Sequence, residues 1–200
     1  MFNMTIFVII TTTLGITRAM PQLVRILGSG HARGVSVDTS ATSAIVSSGW
    51  VVYGLLTHQP SISIASGASA IIFALITLAA LRFGRQLKEL KIAPVWLVVL
   101  SLFGSVGGAL GISLVLPVSV LAANIPQVRV AYREGNLTDL SLGTWALAMT
   151  EGFLWAGYGI AQHDVSVLVN NFFQVTTSAT IVTLKLMHMI RCAKPKEPVS

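Results

Sequence analysis

Arg18 and Glu151 stand inside apolar stretches of a 200-residue chain in which only 10% of the residues are charged. A charge surrounded by side chains that exclude water costs several kcal/mol unless it is partnered or put to use. Three chemistries follow from the residue types: an Arg18–Glu151 ion pair, an arginine that holds an anionic solute, or a glutamate that carries a proton. The segment "VNNFFQVTT" sets Asn171 and Gln174 in similarly apolar company, where an amide needs a cavity or a partner. Trp50 and Tyr53 recur as Trp155 and Tyr158, a pattern that serves an aromatic belt at a membrane interface when nothing else employs it. The histidines at 31, 58, 163 and 188 are scattered, without the clustered spacing that zinc chemistry demands. No metal, cofactor or Ser/His/Asp set is expected, so an enzyme is the weakest reading. His58 and His163 are expected to cap turns.

The elements that position these residues belong in a bilayer. The chain is 54% hydrophobic with a mean hydropathy of +0.78, whereas soluble domains carry about 25% charged residues. Its net charge of +6 does not point to nucleic acid, because the basic residues punctuate apolar runs instead of clustering with exposed aromatics. The opening "MFNMTIFVII" has no basic residue, so the first apolar stretch reads as a permanent span and not as a secretory signal. Cys192 is the single cysteine and reads as a juxtamembrane residue without a special role, or as a site of reversible acylation.

A spanning helix takes about 20 apolar residues. On that ruler spans are expected at 5–27, 37–57, 61–81, 93–110, 112–132, 141–161 and 165–187. The fourth and fifth are joined by "GGALG"; a single helix there would run nearly 60 Å, twice the membrane. Arg25, Arg33, Arg82, Arg85, Lys88 and Lys91 fall in odd-numbered connections, as do Arg129, Arg133 and the tail residues Arg191, Lys194 and Lys196. Arg18 and Lys185 lie in spans but toward the same side. Basic connections stay in the cytoplasm. The N-terminus is therefore expected outside and the C-terminus in the cytoplasm, most simply in a plasma (inner) membrane.

Residues 21–58 align without a gap with 126–163, with identities at Pro21/Pro126, Gln22/Gln127, Ser36/Ser141, Trp50/Trp155, Tyr53/Tyr158, Gly54/Gly159 and His58/His163. Two copies of a three-span unit in one orientation need an odd number of linking spans, and the fourth supplies it. Such parallel repeats place a solute site at their interface near the midplane. The organisation is then an all-α membrane protein of seven helices, 3+1+3: a first repeat at 1–91, a linking helix at 92–111, a second repeat at 112–190 and a tail at 191–200.

"PQ" late in a span, a basic loop, then "GVSVDTSATSAIVSSGWVVYGLL" and its repetition resemble the PQ-loop family. The 3+1+3 plan is similar to its SWEET branch of small-solute uniporters, whose half-size relatives are the SemiSWEETs. The resemblance implies a transporter of a small polar solute, sugar-like, working by alternating access. It sets Trp50 and Trp155 in the solute pocket, with Asn171 sixteen residues beyond the second tryptophan and Ser66 where the first repeat lacks the matching asparagine; Gln174 is a further candidate. Sugar C–H faces stack on aromatic rings while hydroxyls seek amides, so this set suits a polyol. Tyr53, Tyr158 and Asp164 would close the outer gate. Pro21 and Pro126 remove a helical N–H each and would act as hinges or static kinks, with Gln22 and Gln127 tying them to neighbouring helices. Asp38 matches the acid after "S-x-D" in cystinosin-like members, a candidate with Arg18 and Glu151 for coupling or ion pairing. That leaves a proton-coupled carrier of an amino acid or organic anion open, and also a non-transporting receptor. Partners are the solute and the bilayer. Gly104, Gly107, Gly108 and Gly111 would let the fourth span pack on the other repeat or on a second subunit of a homo-oligomer.

Overall fold

In the computed structural model every secondary-structure element among the described residues is helical. It describes residues 3–32, 35–133 and 142–193, with the side chains of 125–133, 144 and 191–193 outside that description. Pro126, Gln127, Arg129 and Arg133, together with Arg33 and the tail that holds Cys192, therefore lie outside the described side chains. The helices are α1 (Met4–Ser29), α2 (Val37–Leu56), α3 (Pro60–Arg82), α4 (Ile92–Arg133), α5 (Leu142–Ala161) and α6 (Val165–Ala193), with a short 3-10 turn at Leu87–Glu89.

Local chemistry sets the boundaries. The Asn3 side chain accepts the Ile6 N–H to open α1, and Gly30, at φ 64°, closes it, the left-handed position that glycine occupies without a Cβ penalty. Ser36 caps α2 by accepting from Thr39 N–H. Pro60 stands in the first turn of α3, where a missing N–H costs nothing. Asp38, near the start of α2, accepts the backbone N–H groups of Lys91, Ile92 and Ala93. It is a cap for α4 supplied from another helix.

α4 is not a straight rod. Gly108 breaks it at φ 56° and ψ −135°, a region that non-glycine residues avoid. Trp96 Nε1 donates to Ser119 Oγ at 2.8 Å across 23 residues; a continuous helix would hold those residues about 35 Å apart. The two arms of α4 thus run back against each other. A Cβ on Gly111 would strike the Phe103 carbonyl oxygen, and one on Gly104 would press on Ile112. These two glycines serve contact between the two arms of α4.

α3 packs against both α1 and α2, and α6 against both α4 and α5; α2–α4 and α1–α5 contacts join the two groups. One apolar cluster lies at the basic end, with Leu23 and Ile26 of α1 against Ile72, Ile76 and Ala80 of α3. A second draws on every helix: Phe7, Tyr53, Ile62, Leu116, Tyr158 and Val167. Many large apolar side chains face outward, among them Ile9, Leu78, Val98, Leu110, Ile160 and Phe172, as lipid contact requires. Among the described residues, Met4–Ser29, Pro60–Arg82, Ile92–Asn124 and Val165–Ile190 are long and apolar enough to cross a membrane. α2 and α5 are each 20 residues long; α2 turns Thr39, Ser43 and Ser47 inward, which lowers its hydropathy.

Gly111→Ala is expected to lose about 2 kcal/mol or more, by overpacking on the Phe103 carbonyl. Gly107→Ala, with open space at its Cβ position, is expected to be neutral or stabilising. Thermal unfolding of the two variants in detergent checks the pair.

Candidate functional site

A cavity of about 640 Å³ lies between the helices. α2 lines it with Thr39, Ser43, Ser47 and Trp50, residues spaced to share one helical face. α3 adds Ser66 and Ser69, and α5 adds Trp145, Glu151 and Trp155. Asn170, Asn171 and Gln174 enter from α6, Asn124 from α4, and Arg18 and Gln22 from α1. Trp50, Trp155, Asn171, Ser66 and Gln174 thus face a single chamber. Gln22 is exposed there, lining the space where it was expected to brace the Pro21 kink. α1 itself runs as one helix through Pro21.

The amides are ordered. Asn171 Nδ2 donates to the Val167 carbonyl at 2.7 Å. Asn124 Nδ2 donates to Gln174 Oε1 at 3.1 Å and to Thr177 Oγ1 at 2.9 Å, while Gln174 Nε2 donates to Ser178 Oγ at 2.9 Å. This chain of side chains fixes the orientation of Gln174 and the wall between α4 and α6. Asn124 was not singled out from sequence; its signal was an amide two residues before Pro126 in an apolar run.

One end of the chamber is shut. Tyr53 Oη donates to Asp164 Oδ2 at 2.8 Å, and Gln59 Nε2 donates to the same oxygen at 2.6 Å. Asp164 Oδ1 accepts the Val167 N–H at 3.0 Å, so the carboxylate also caps α6. It is only 8% exposed, and a buried carboxylate needs such donors. The Tyr158 hydroxyl faces Ser61. Phe7 stacks on Tyr158 with ring centroids 5.2 Å apart and meets Trp155 edge-on at 5.0 Å. Tyr53, Tyr158 and Asp164 therefore come together, with Gln59 and Phe7 as members that sequence reasoning missed. Gln59 stands 105 residues before Asp164, one step past the aligned block.

The turns beside this closure share one hydrogen-bond pattern. Thr57 N–H to Tyr53 O and Gln59 N–H to Gly54 O are matched by Gln162 N–H to Tyr158 O and Asp164 N–H to Gly159 O. His58 and His163 end their helices at φ 56° and 54°. The other end of the cavity reaches Ser36 and Gln22, toward the basic connections.

Arg18 Nη1 lies 3.1 Å from Glu151 Oε2, so the two charges form an ion pair between α1 and α5. Asp38 is not with them; its carboxylate is engaged at the α4 terminus. Among the described residues no group of three or more His, Cys, Asp or Glu side chains could hold a metal ion.

An all-α membrane protein with a central polar chamber is thus the class that fold and site define. In structure, a eukaryotic SWEET transporter known at 3.7 Å resolution matches with a TM-score of 0.70 and 13% sequence identity, over 94% of this chain and 99% of that one. No protein-family model matches, and no curated protein matches in sequence. The chain has a SWEET-like fold.

Asp164→Ala is expected to cost about 2–4 kcal/mol, since it leaves the buried Tyr53 and Gln59 donors and the α6 terminus without their acceptor. Asp164→Asn, which keeps an acceptor oxygen, is expected to lose less. Thermal midpoints in detergent check the order.

Proposed function

We propose that this protein carries a small polar, sugar-like solute across a membrane by alternating access. The observation that carries the reading is a chamber walled by two tryptophans and an amide cluster, shut at one end by Tyr53, Gln59 and Asp164 and reaching the basic connections at the other. The SWEET-like fold supports it. In this reading the reversal at Gly108 divides α4 into a linking span and the first span of a second repeat, giving the 3+1+3 plan with repeats at 1–91 and 112–190. The matched turns at His58 and His163 support the duplication. The basic connections lie in the cytoplasm of a cell whose plasma membrane holds the protein, and the closed end faces outward.

The physical cycle follows from the contacts. Solute enters the chamber from the basic end, where its apolar C–H faces lie on Trp50 or Trp155 and its hydroxyls meet Asn171 and Gln174. Opening the far end requires Tyr53 and Gln59 to leave Asp164, while α1 and α4 flex at Pro21 and Pro126. With no nucleotide motif in the chain, any uphill step draws on an ion gradient. A second reading, a proton-coupled carrier of an amino acid or organic anion, is favoured by the Arg18–Glu151 pair in the chamber wall.

Flux of hexoses, amino acids and organic anions into proteoliposomes tests the proposal. Trp155→Ala and Asn171→Ala are each expected to lower flux of the transported solute at least tenfold, with thermal midpoints measured in parallel to separate lost recognition from lost packing. Solute binding without flux identifies a receptor instead. Flux that survives both substitutions removes the pocket assignment.

A further inference from the structure

Arg18 and Glu151 are the charged residues among those lining the chamber, and their pairing is incomplete. The nitrogen and oxygen stand 3.1 Å apart, yet Glu151 Oε2 is buried with no hydrogen bond of proper alignment among the described residues. A pair kept for stability alone is a poor bargain in such a place, because apolar side chains of equal volume hold helices together as well or better. The side chains are 24% and 16% exposed, so the pair borders the space and is not sealed within packing. Gly15 brings α1 close: a Cβ there would come within 3.2 Å of Ser69 Oγ and 3.6 Å of Glu151 Oε1. The amides are weighted to one side: Asn124, Asn170, Asn171 and Gln174 come from α4 and α6, whereas α1 offers Gln22 and α2 and α3 offer hydroxyls.

We infer that Glu151 is a solute-binding residue of this chamber, a carboxylate held in place by Arg18 that accepts hydrogen bonds from a donor group of the solute. The inference rests on the carrier reading and names the recognition chemistry of its site. The amides offer both donors and acceptors, whereas an ionised carboxylate only accepts. Glu151 thereby selects for solutes rich in donors. Two sources supply that chemistry: the hydroxyls of a polyol and the ammonium of an amino acid. Arg18 keeps the chamber neutral overall, which suits an uncharged or zwitterionic solute. It is a positioning residue for the carboxylate.

Binding is measured by calorimetry on purified full-length protein with a hexose series that includes deoxy analogues, and with neutral amino acids and their deaminated analogues. Glu151→Gln is expected to weaken the best ligand about tenfold or more, the scale of one charge-assisted hydrogen bond. Analogues lacking the interacting hydroxyl or ammonium are expected to lose affinity in the wild type and to be indifferent to the substitution. Whichever series responds names the donor. The exchanged double variant, Arg18→Glu with Glu151→Arg, separates binding from structure: it is expected to recover thermal stability relative to Arg18→Glu alone while affinity stays low, because the carboxylate has moved to α1. Unchanged affinity in Glu151→Gln, or affinity restored along with stability in the exchanged variant, overturns the inference. Flux measured in parallel keeps the two readings apart: binding that needs Glu151 but yields no flux overturns the carrier and supports the binding role. Flux and binding indifferent to Glu151 overturn the binding role alone. A wild type that binds neither series overturns both.

Discussion

In hydrocarbon, a polar side chain must be bonded or kept wet, and this one constraint arranges the molecule. Large apolar side chains of α1, α3 and α6 point outward, while a set of serines, a threonine and amides lines the interior. An inward-facing polar surface cannot close on itself without leaving unsatisfied groups. The helices therefore stand apart around a chamber instead of meeting in a packed core. Apolar packing survives where the lining is no longer polar, in the cluster at the basic end and in the one around Phe7 and Tyr158.

The same constraint explains why the closure is built from so few bonds. Asp164 takes donors from Tyr53 and Gln59 on one half while capping its own helix. The Tyr53, Gln59 and Val167 donors are all satisfied in this closed arrangement. A larger apolar seal would hold more firmly and open less readily. Phe7 and Tyr158 add a modest aromatic contact of known geometry, worth about 0.5–1.5 kcal/mol beyond its buried area.

Much of this was legible from residue types that interrupt apolar runs. Asn171 and Gln174 stand out because an amide in such a run needs a reason, Trp50 and Trp155 because they recur and the resemblance sets them in a pocket, and all four line one space. The turn residues were legible because they recur at constant spacing. What escaped had no such mark. Phe7 is one apolar residue among many, and only its stacking partner distinguishes it. Gln59 occupies the place of Asp164 but is not identical to it, so identity-based alignment ends just short. Asp38, marked by its likeness to the acid after "S-x-D", has its oxygens on the backbone of α4, a long-range cap that no local pattern reveals. The reversal at Gly108 was expected from length alone. Its consequence, that Gly104 and Gly111 serve the chain's own two arms, needed coordinates.

In the proposed cycle, parting of the Asp164 cluster would leave an imbalance behind. The carboxylate remains with α6, tethered to the Val167 amide, and the opposing lip retreats with a neutral glutamine and a phenol. A mouth opened this way has one anionic jaw and one uncharged jaw. Its potential slopes across the entrance, so a dipolar visitor is turned before it is gripped. Gln59 and Asp164 stand at matching turns but differ in charge, and that difference is what would polarise the doorway.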